Sequence, residues 1–111
     1  MLASAYGGHV FENTVFGELL RAFLARGQRP DIYFFRTASG LEIDFLVRWG
    51  GKLYPVEVKR SSTPRPEMAQ GIERLRSLMP ESLGPGLVIL LDCPSPIPLT
   101  SHTTAIPFES L

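Results

Sequence analysis

Two stretches of alternating hydrophobicity, residues 41–49 and residues 52–59, flank the pair Gly50-Gly51. This arrangement constrains the fold more than any other feature of the chain. The two glycines supply the positive-φ positions that a two-residue hairpin turn requires. Counting outward from that turn, Trp49 faces Lys52, Asp44 faces Glu57 and Glu42 faces Lys59. Directly opposed side chains have Cβ atoms about 4.5–5.5 Å apart. Strand alternation then places Glu42, Asp44, Glu57 and Lys59 on one face. Opposed carboxylates repel, and the pair is destabilising unless a proton, a cation or a metal lies between them. The plainer account is a solvated strand face whose charges are balanced by Lys59 and Arg48.

Around this hairpin the sequence predicts an α, β, β, β, α, β order. Phe11, Val15, Phe16, Leu19, Leu20 and Phe23 recur at helical spacing over residues 9–26, and Gly27 ends the run. Residues 32–37 are aromatic-rich and bounded by Pro30 and Gly40, which predicts a strand. Their aromatics Tyr33, Phe34 and Phe35 are expected in the core; exposed, they would form an apolar contact surface. Thr63-Pro64 is expected to cap a second helix, with Met68, Ile72, Leu75 and Met79 on its inner face and Pro80 closing it. Residues 86–91 are apolar throughout, as in a strand buried on both faces. A helix between strands three and four predicts a parallel pair, and so a mixed sheet flanked by helices, of α/β class. From Pro94 onward a tail rich in proline, serine and threonine is expected to hug the surface, with an edge strand near Thr104–Phe108.

A chain of 111 residues fits one core, and 44% apolar residues exclude disorder. No run of about 18 apolar residues is present, so no membrane span is expected. The start lacks the basic and apolar segments of a secretory signal, and Cys93 is the only cysteine; both favour a cytoplasmic setting. Eleven basic and eleven acidic residues balance, which weighs against tight non-specific binding of nucleic acid without excluding a local basic patch.

Helical spacing places Glu12 near the centre of the first helix's apolar stripe, facing the sheet, where an acid is unfavourable unless paired or ligating. Its position in the first helical turn offers a simpler account through the helix dipole. Three carboxylates (Glu12, Asp44 and Glu57) and Lys59 are therefore expected to converge. Such oxygen donors suit Mg²⁺ or Mn²⁺. A metal there would polarise a phosphoryl oxygen and activate a water, and Lys59 would orient that water or stabilise the developing charge. Arg36 is a candidate phosphate contact, or else an ion-pair partner of Glu42 or Glu12. His9 is read as a helix-cap or surface residue, Cys93 as packing, and His102 carries no signal.

Asp44, twelve intervening residues, then Glu57-Val58-Lys59 resembles the PD-(D/E)xK nuclease superfamily, whose restriction-endonuclease-like core has the same α-β-β-β-α-β order. The resemblance implies metal binding by Asp44 and Glu57 and a catalytic Lys59. Similarity to archaeal Holliday-junction resolvases would add Glu12, and Gln70 would be the polar residue of the second helix. A narrower set of residues, Gly8 to Asn13, Val15, Glu18-Leu19, Tyr33 to Arg36, Glu42 to Phe45 and Val56 to Lys59, resembles the C-terminal domain of unannotated bacterial and archaeal AAA-type ATPases over roughly residues 7–92. No G-x-x-x-x-G-K-[ST] phosphate loop is present in the sequence. The chain is accordingly expected to be a stand-alone domain or part of a longer ATPase, with residues 1–7 an N-terminal extension, 8–93 the nuclease-like domain and 94–111 the tail.

Three functional expectations follow. The first is a metal-dependent phosphodiesterase acting on DNA, less readily on RNA, working as a homodimer as nucleases of this fold often do. The second is a non-catalytic module that binds nucleic acid or mediates oligomerisation of a parent ATPase. The third is a structural fragment with no separate role.

Overall fold

In the computed structural model the backbone is described for residues 2–111 and side chains from Val10 onward. Helix α1 (Leu2–Ala25) is followed by strands β1 (Ile32–Arg36), β2 (Glu42–Trp49) and β3 (Lys52–Lys59), a 3₁₀ turn (Pro66–Ala69), helix α2 (Gln70–Leu78), then β4 (Gly86–Leu90), β5 (Ile97–Pro98), β6 (Thr103–Pro107) and a last 3₁₀ turn (Phe108–Ser110). The six strands form one mixed sheet in the order β1-β2-β3-β4-β6-β5. β1, β2 and β3 run antiparallel, β3, β4 and β6 run parallel, and β5 is antiparallel to β6. The α-β-β-β-α-β order and the mixed sheet are those the sequence predicts.

Each face of the sheet has its own core. On one, Phe11 and Val15 of α1 pack on Phe45, Val56 and Ile89. On the other, Ile72 and Leu75 of α2 pack on Ile43, Leu46, Val88 and Leu90. β4 supplies both, which is why its sequence is apolar without alternation. Val88, Ile89 and Leu90 are fully buried, and each such burial contributes roughly 1.5–3 kcal/mol. The helices end as their sequences suggest. Gly27, at φ 66°, lets its own N–H reach the Leu24 carbonyl (3.0 Å) and that of Gln28 reach the Phe23 carbonyl (3.0 Å). The hairpin turn is Gly50 (φ 57°) and Gly51 (φ 83°).

Four local expectations are corrected. Helix α1 begins at Leu2, so it runs through the segment read as an extension. The proline that opens the second helical segment is Pro66, after an extended Arg65, and not Pro64; Ser61 to Thr63 instead form a turn in which the Thr63 N–H donates to Ser61 Oγ (3.2 Å). The strand near the C-terminus is not an edge. β6 pairs along its whole length with β4 and is covered by β5, burying Thr103, Ala105 and Pro107; an alternating Thr-Thr-Ala-Ile-Pro stretch fits between two strands once the chain returns parallel to β4. Finally, Tyr33 and Phe34 are exposed, Phe34 by 73%, because β1 is the sheet's outer strand. Among the described residues no helix is long and apolar enough to cross a membrane.

Candidate functional site

The β2–β3 ladder runs from Trp49↔Lys52 to Phe45↔Val56 and stops there. Beyond it β2 follows β1, pairing Ile43 with Phe35 and Glu42 with Arg36, while β3 follows β4, pairing Glu57 with Val88 and Lys59 with Leu90. The strands therefore fork, and Asp44 and Glu57 stand where they part. The cause is local. From Tyr33 to Phe35 is two residues on β1, but their partners Leu46 and Ile43 are three apart on β2. The extra residue is a β-bulge, which bends a strand and re-aims its side chains. It places Ile43 and Leu46 in the same core beside α2 and Phe45 in the other, beside α1.

At the fork the two carboxylates do the work of the missing ladder. The Val58 N–H donates to Asp44 Oδ2 (2.8 Å), and the Asp44 N–H donates to Glu57 Oε1 (3.0 Å). Backbone donors left by the separated strands are thereby satisfied. Asp44 Oδ1 and Glu57 Oε2 take part in neither bond. Glu57 is only 7% exposed. Burial, and then the neighbouring Asp44 charge, push its pKa up from 4.5 to about 7, against the opposing pull of the Asp44 N–H and Lys59. Lys59 lies two residues further on the same face of β3, half-buried.

Helix α2 approaches the pair closely. A Cβ on Gly71 would lie 3.4 Å from Glu57 Oε2 and 3.6 Å from the Glu42 carbonyl, so the first turn of the helix comes against the carboxylate through a residue without a side chain. Sequence reasoning did not single out Gly71. Its signal was a glycine inside a helical pattern, which often marks a close approach. Gln70, the superfamily-type candidate beside it, is exposed. From the α1 side an open cleft of ≈ 410 Å³ reaches the fork, lined by Glu12, Phe34, Phe35, Arg36, Glu42 and Asp44. Glu12 is half-buried, next to the buried Phe11; the side chain of His9 lies outside the described residues.

The expected face of four charges is redrawn by the bulge. Glu42 does not stand opposite Lys59. It pairs in register with Arg36 and forms an ion pair with it, which is the first of the partners foreseen for Arg36. Asp44 and Glu57 are brought together and Lys59 adjoins them. Glu12 lines the same cleft as Asp44, yet among the described residues no three His, Cys, Asp or Glu side chains form a group able to hold a metal ion. Two carboxylates remain, and Mg²⁺ characteristically uses one or two protein carboxylates, filling its other positions with water and substrate phosphate. The donor set of Asp44 and Glu57 fits such an ion. Cys93 is buried, as expected of a packing residue.

The family model described as "Domain of unknown function (DUF4143)" covers residues 7–111, and so takes in β5 and β6 as well as the segment read as the domain. No curated protein and no solved structure matches the chain.

Proposed function

We propose that this chain, which belongs to the DUF4143 family, is a metal-dependent phosphodiesterase acting on nucleic acid, with DNA the first substrate to test. One observation carries the reading: a buried glutamate and a second carboxylate meet at a fork in the sheet, with a lysine two residues further along the strand. Burial, and then the Asp44 charge beside it, raise the pKa of Glu57, and a strongly perturbed acid beside a cleft is a functional-site signature. The resemblance of Asp44, Glu57 and Lys59 to the PD-(D/E)xK pattern, and of the wider sequence to the C-terminal domain of AAA-type ATPases, supports it further.

Asp44 and Glu57 would be the residues that hold Mg²⁺ or Mn²⁺. When bound, the ion supplies polarisation of a phosphoryl oxygen and a water of lowered pKa. The chain's own groups do the rest. The two backbone hydrogen bonds fix the carboxylates in place. Lys59 stabilises charge developing on the phosphate. Glu12 bounds the cleft beside Asp44, and Arg36, 78% exposed at its side chain and already paired to Glu42, would meet a phosphate at the rim.

A second reading rests on β1. Exposed Tyr33 and Phe34 on an outer strand suit a module that binds nucleic acid, a second copy, or a parent ATPase, with the carboxylates serving only to close the fork. Calorimetry with Mg²⁺ and Mn²⁺, on the wild type and on the Asp44→Ala, Glu57→Ala double variant, separates the two. Saturable binding lost in the double variant, followed by metal-dependent cleavage of branched, single-stranded or duplex DNA, is expected for the enzyme. Absence of binding at millimolar metal would leave the module as the account.

A further inference from the structure

We propose that a second cleft, at the opposite end of the sheet from the fork, binds a phosphate group. Strands β3, β4 and β6 are parallel, and their N-terminal ends meet here. Backbone bonds lace them together: the Leu53 N–H donates to the Ser82 carbonyl (2.9 Å), the Gly84 N–H to the Leu53 carbonyl (2.9 Å) and the Gly86 N–H to the His102 carbonyl (2.8 Å). The result is a cleft of ≈ 450 Å³ whose polar lining is Lys52, Tyr54, Arg76, Ser101, His102 and Thr104, with no acidic residue among the described residues of its wall.

Charge and burial both point to an anion. Arg76 is half-buried; its Nη1 and Nη2 donate to the Leu83 (3.4 Å) and Gly84 (2.9 Å) carbonyls, and its Nε is buried with no hydrogen-bond partner among the described residues. None of the ion pairs among the described residues involves Lys52, Arg76 or His102. The nearby acid of α2, Glu73, is turned to other partners: its Oε2 accepts from the Thr100 and Thr103 hydroxyls, at 3.0 Å each. Arg76 lines the cleft and none of the ion pairs among the described residues gives it a carboxylate, so an anion entering there would meet an uncompensated guanidinium charge. A phosphate is favoured because the lining combines the Arg76 guanidinium, held by two carbonyls, and the Lys52 ammonium with hydroxyls, the donors a tetrahedral oxyanion uses. The site is also built and not merely open. A Cβ on Gly84 would fall 2.4 Å from the Tyr54 ring, so the ring lies directly against bare backbone and forms one wall of the cleft.

The phosphate can belong to a free monoester or to a nucleic-acid backbone. The probes are inorganic phosphate, then AMP, then a short single-stranded oligonucleotide, each titrated into the full chain and followed by amide NMR. Saturable shifts at Leu53, Gly84, Gly86 and Thr104 are expected with phosphate. The exposed-side substitutions Lys52→Ala and His102→Ala together should weaken binding about tenfold, as for one lost charge-assisted hydrogen bond, with no change in melting temperature. Arg76→Gln should weaken it as well, and it alone is expected to lower the melting temperature. Asp44→Ala with Glu57→Ala should leave phosphate binding unchanged, which separates this site from the fork. AMP outcompeting phosphate with no effect of the oligonucleotide assigns a free monoester; displacement of phosphate by the oligonucleotide assigns the polymer. No saturable shift at millimolar phosphate, or an undiminished one in the Lys52→Ala, His102→Ala variant, overturns the proposal.

Discussion

The two ends of the β2–β3 hairpin solve one problem in opposite ways. At the turn, Gly50 and Gly51 take positive φ and the strands close with an unbroken ladder from Trp49↔Lys52 onward. At the other end an extra residue in β2 pulls the strands apart, and the lost pairing is replaced by two side chains, Asp44 and Glu57. The closed end is held by backbone geometry and by Trp49 packed on Phe23 and Arg26, and the two turn residues carry nothing that titrates. The open end is held by carboxylates, one of them buried, so its stability depends on protons and, under the proposed function, on metal. A sheet can thus terminate a pairing cheaply with glycine or reactively with acids, and only the second choice leaves a site.

The largest expected effect breaks the open end's dependence on pH. In metal-free buffer below about pH 4.5, Glu57 is protonated in both the folded and the unfolded chain. As pH rises from 4.5 toward 7, the unfolded chain releases this proton while the folded chain retains it, so the Glu57 contribution to stability falls across that window and levels off above it. Glu57→Gln keeps an oxygen to accept the Asp44 N–H and removes the titration. Denaturant unfolding should show it more stable than wild type by roughly 2–3 kcal/mol at pH 8, and no different from wild type at pH 4. A difference that is the same at both pH values would show that burial and the Asp44 charge do not hold the proton on Glu57.

The closed end should respond without any such window. Gly51→Val forces a β-branched residue to φ 83°, at a cost of about 1–2 kcal/mol. Unfolding at pH 4 and pH 8 should give the same loss, so the variant's pH profile runs parallel to that of the wild type. This contrast also marks how far the sequence could be read. The turn was legible because glycine takes these positive-φ dihedrals most readily, and its register followed by counting. Asp44 and Glu57 were legible as neighbours for the same reason. The bulge was not: Ile43 and Phe45 look like ordinary alternation, and only the requirement that Leu46 and Ile43 share one core exposes the added residue. Glu42 was therefore set opposite Lys59, when it pairs with Arg36. The exposure of Phe34 was hidden because an aromatic run signals a strand without saying whether that strand lies at the sheet's edge. The burial of β6 was hidden because partners far along the chain decide it.

The smallest effect sharpens the comparison most, because it changes the open end's chemistry while barely touching its stability. Gly71 lies in helix α2, where alanine is favoured over glycine by about 0.8–1 kcal/mol. Its added Cβ would meet Glu57 Oε2 at 3.4 Å and the Glu42 carbonyl at 3.6 Å, ordinary contact distances. Gly71→Ala should therefore fold as well as wild type or slightly better. The methyl would nevertheless cover the one carboxylate oxygen of Glu57 that accepts neither backbone bond, removing water from it. Desolvation disfavours the charged form, so the Glu57 carboxyl, followed by NMR, should titrate higher than in wild type. Metal affinity measured by calorimetry should fall at the same time if Oε2 faces the ion. Unchanged titration together with unchanged metal binding would mean that Oε2 is already sealed from solvent and that the fork is reached only from the α1 side, past Asp44.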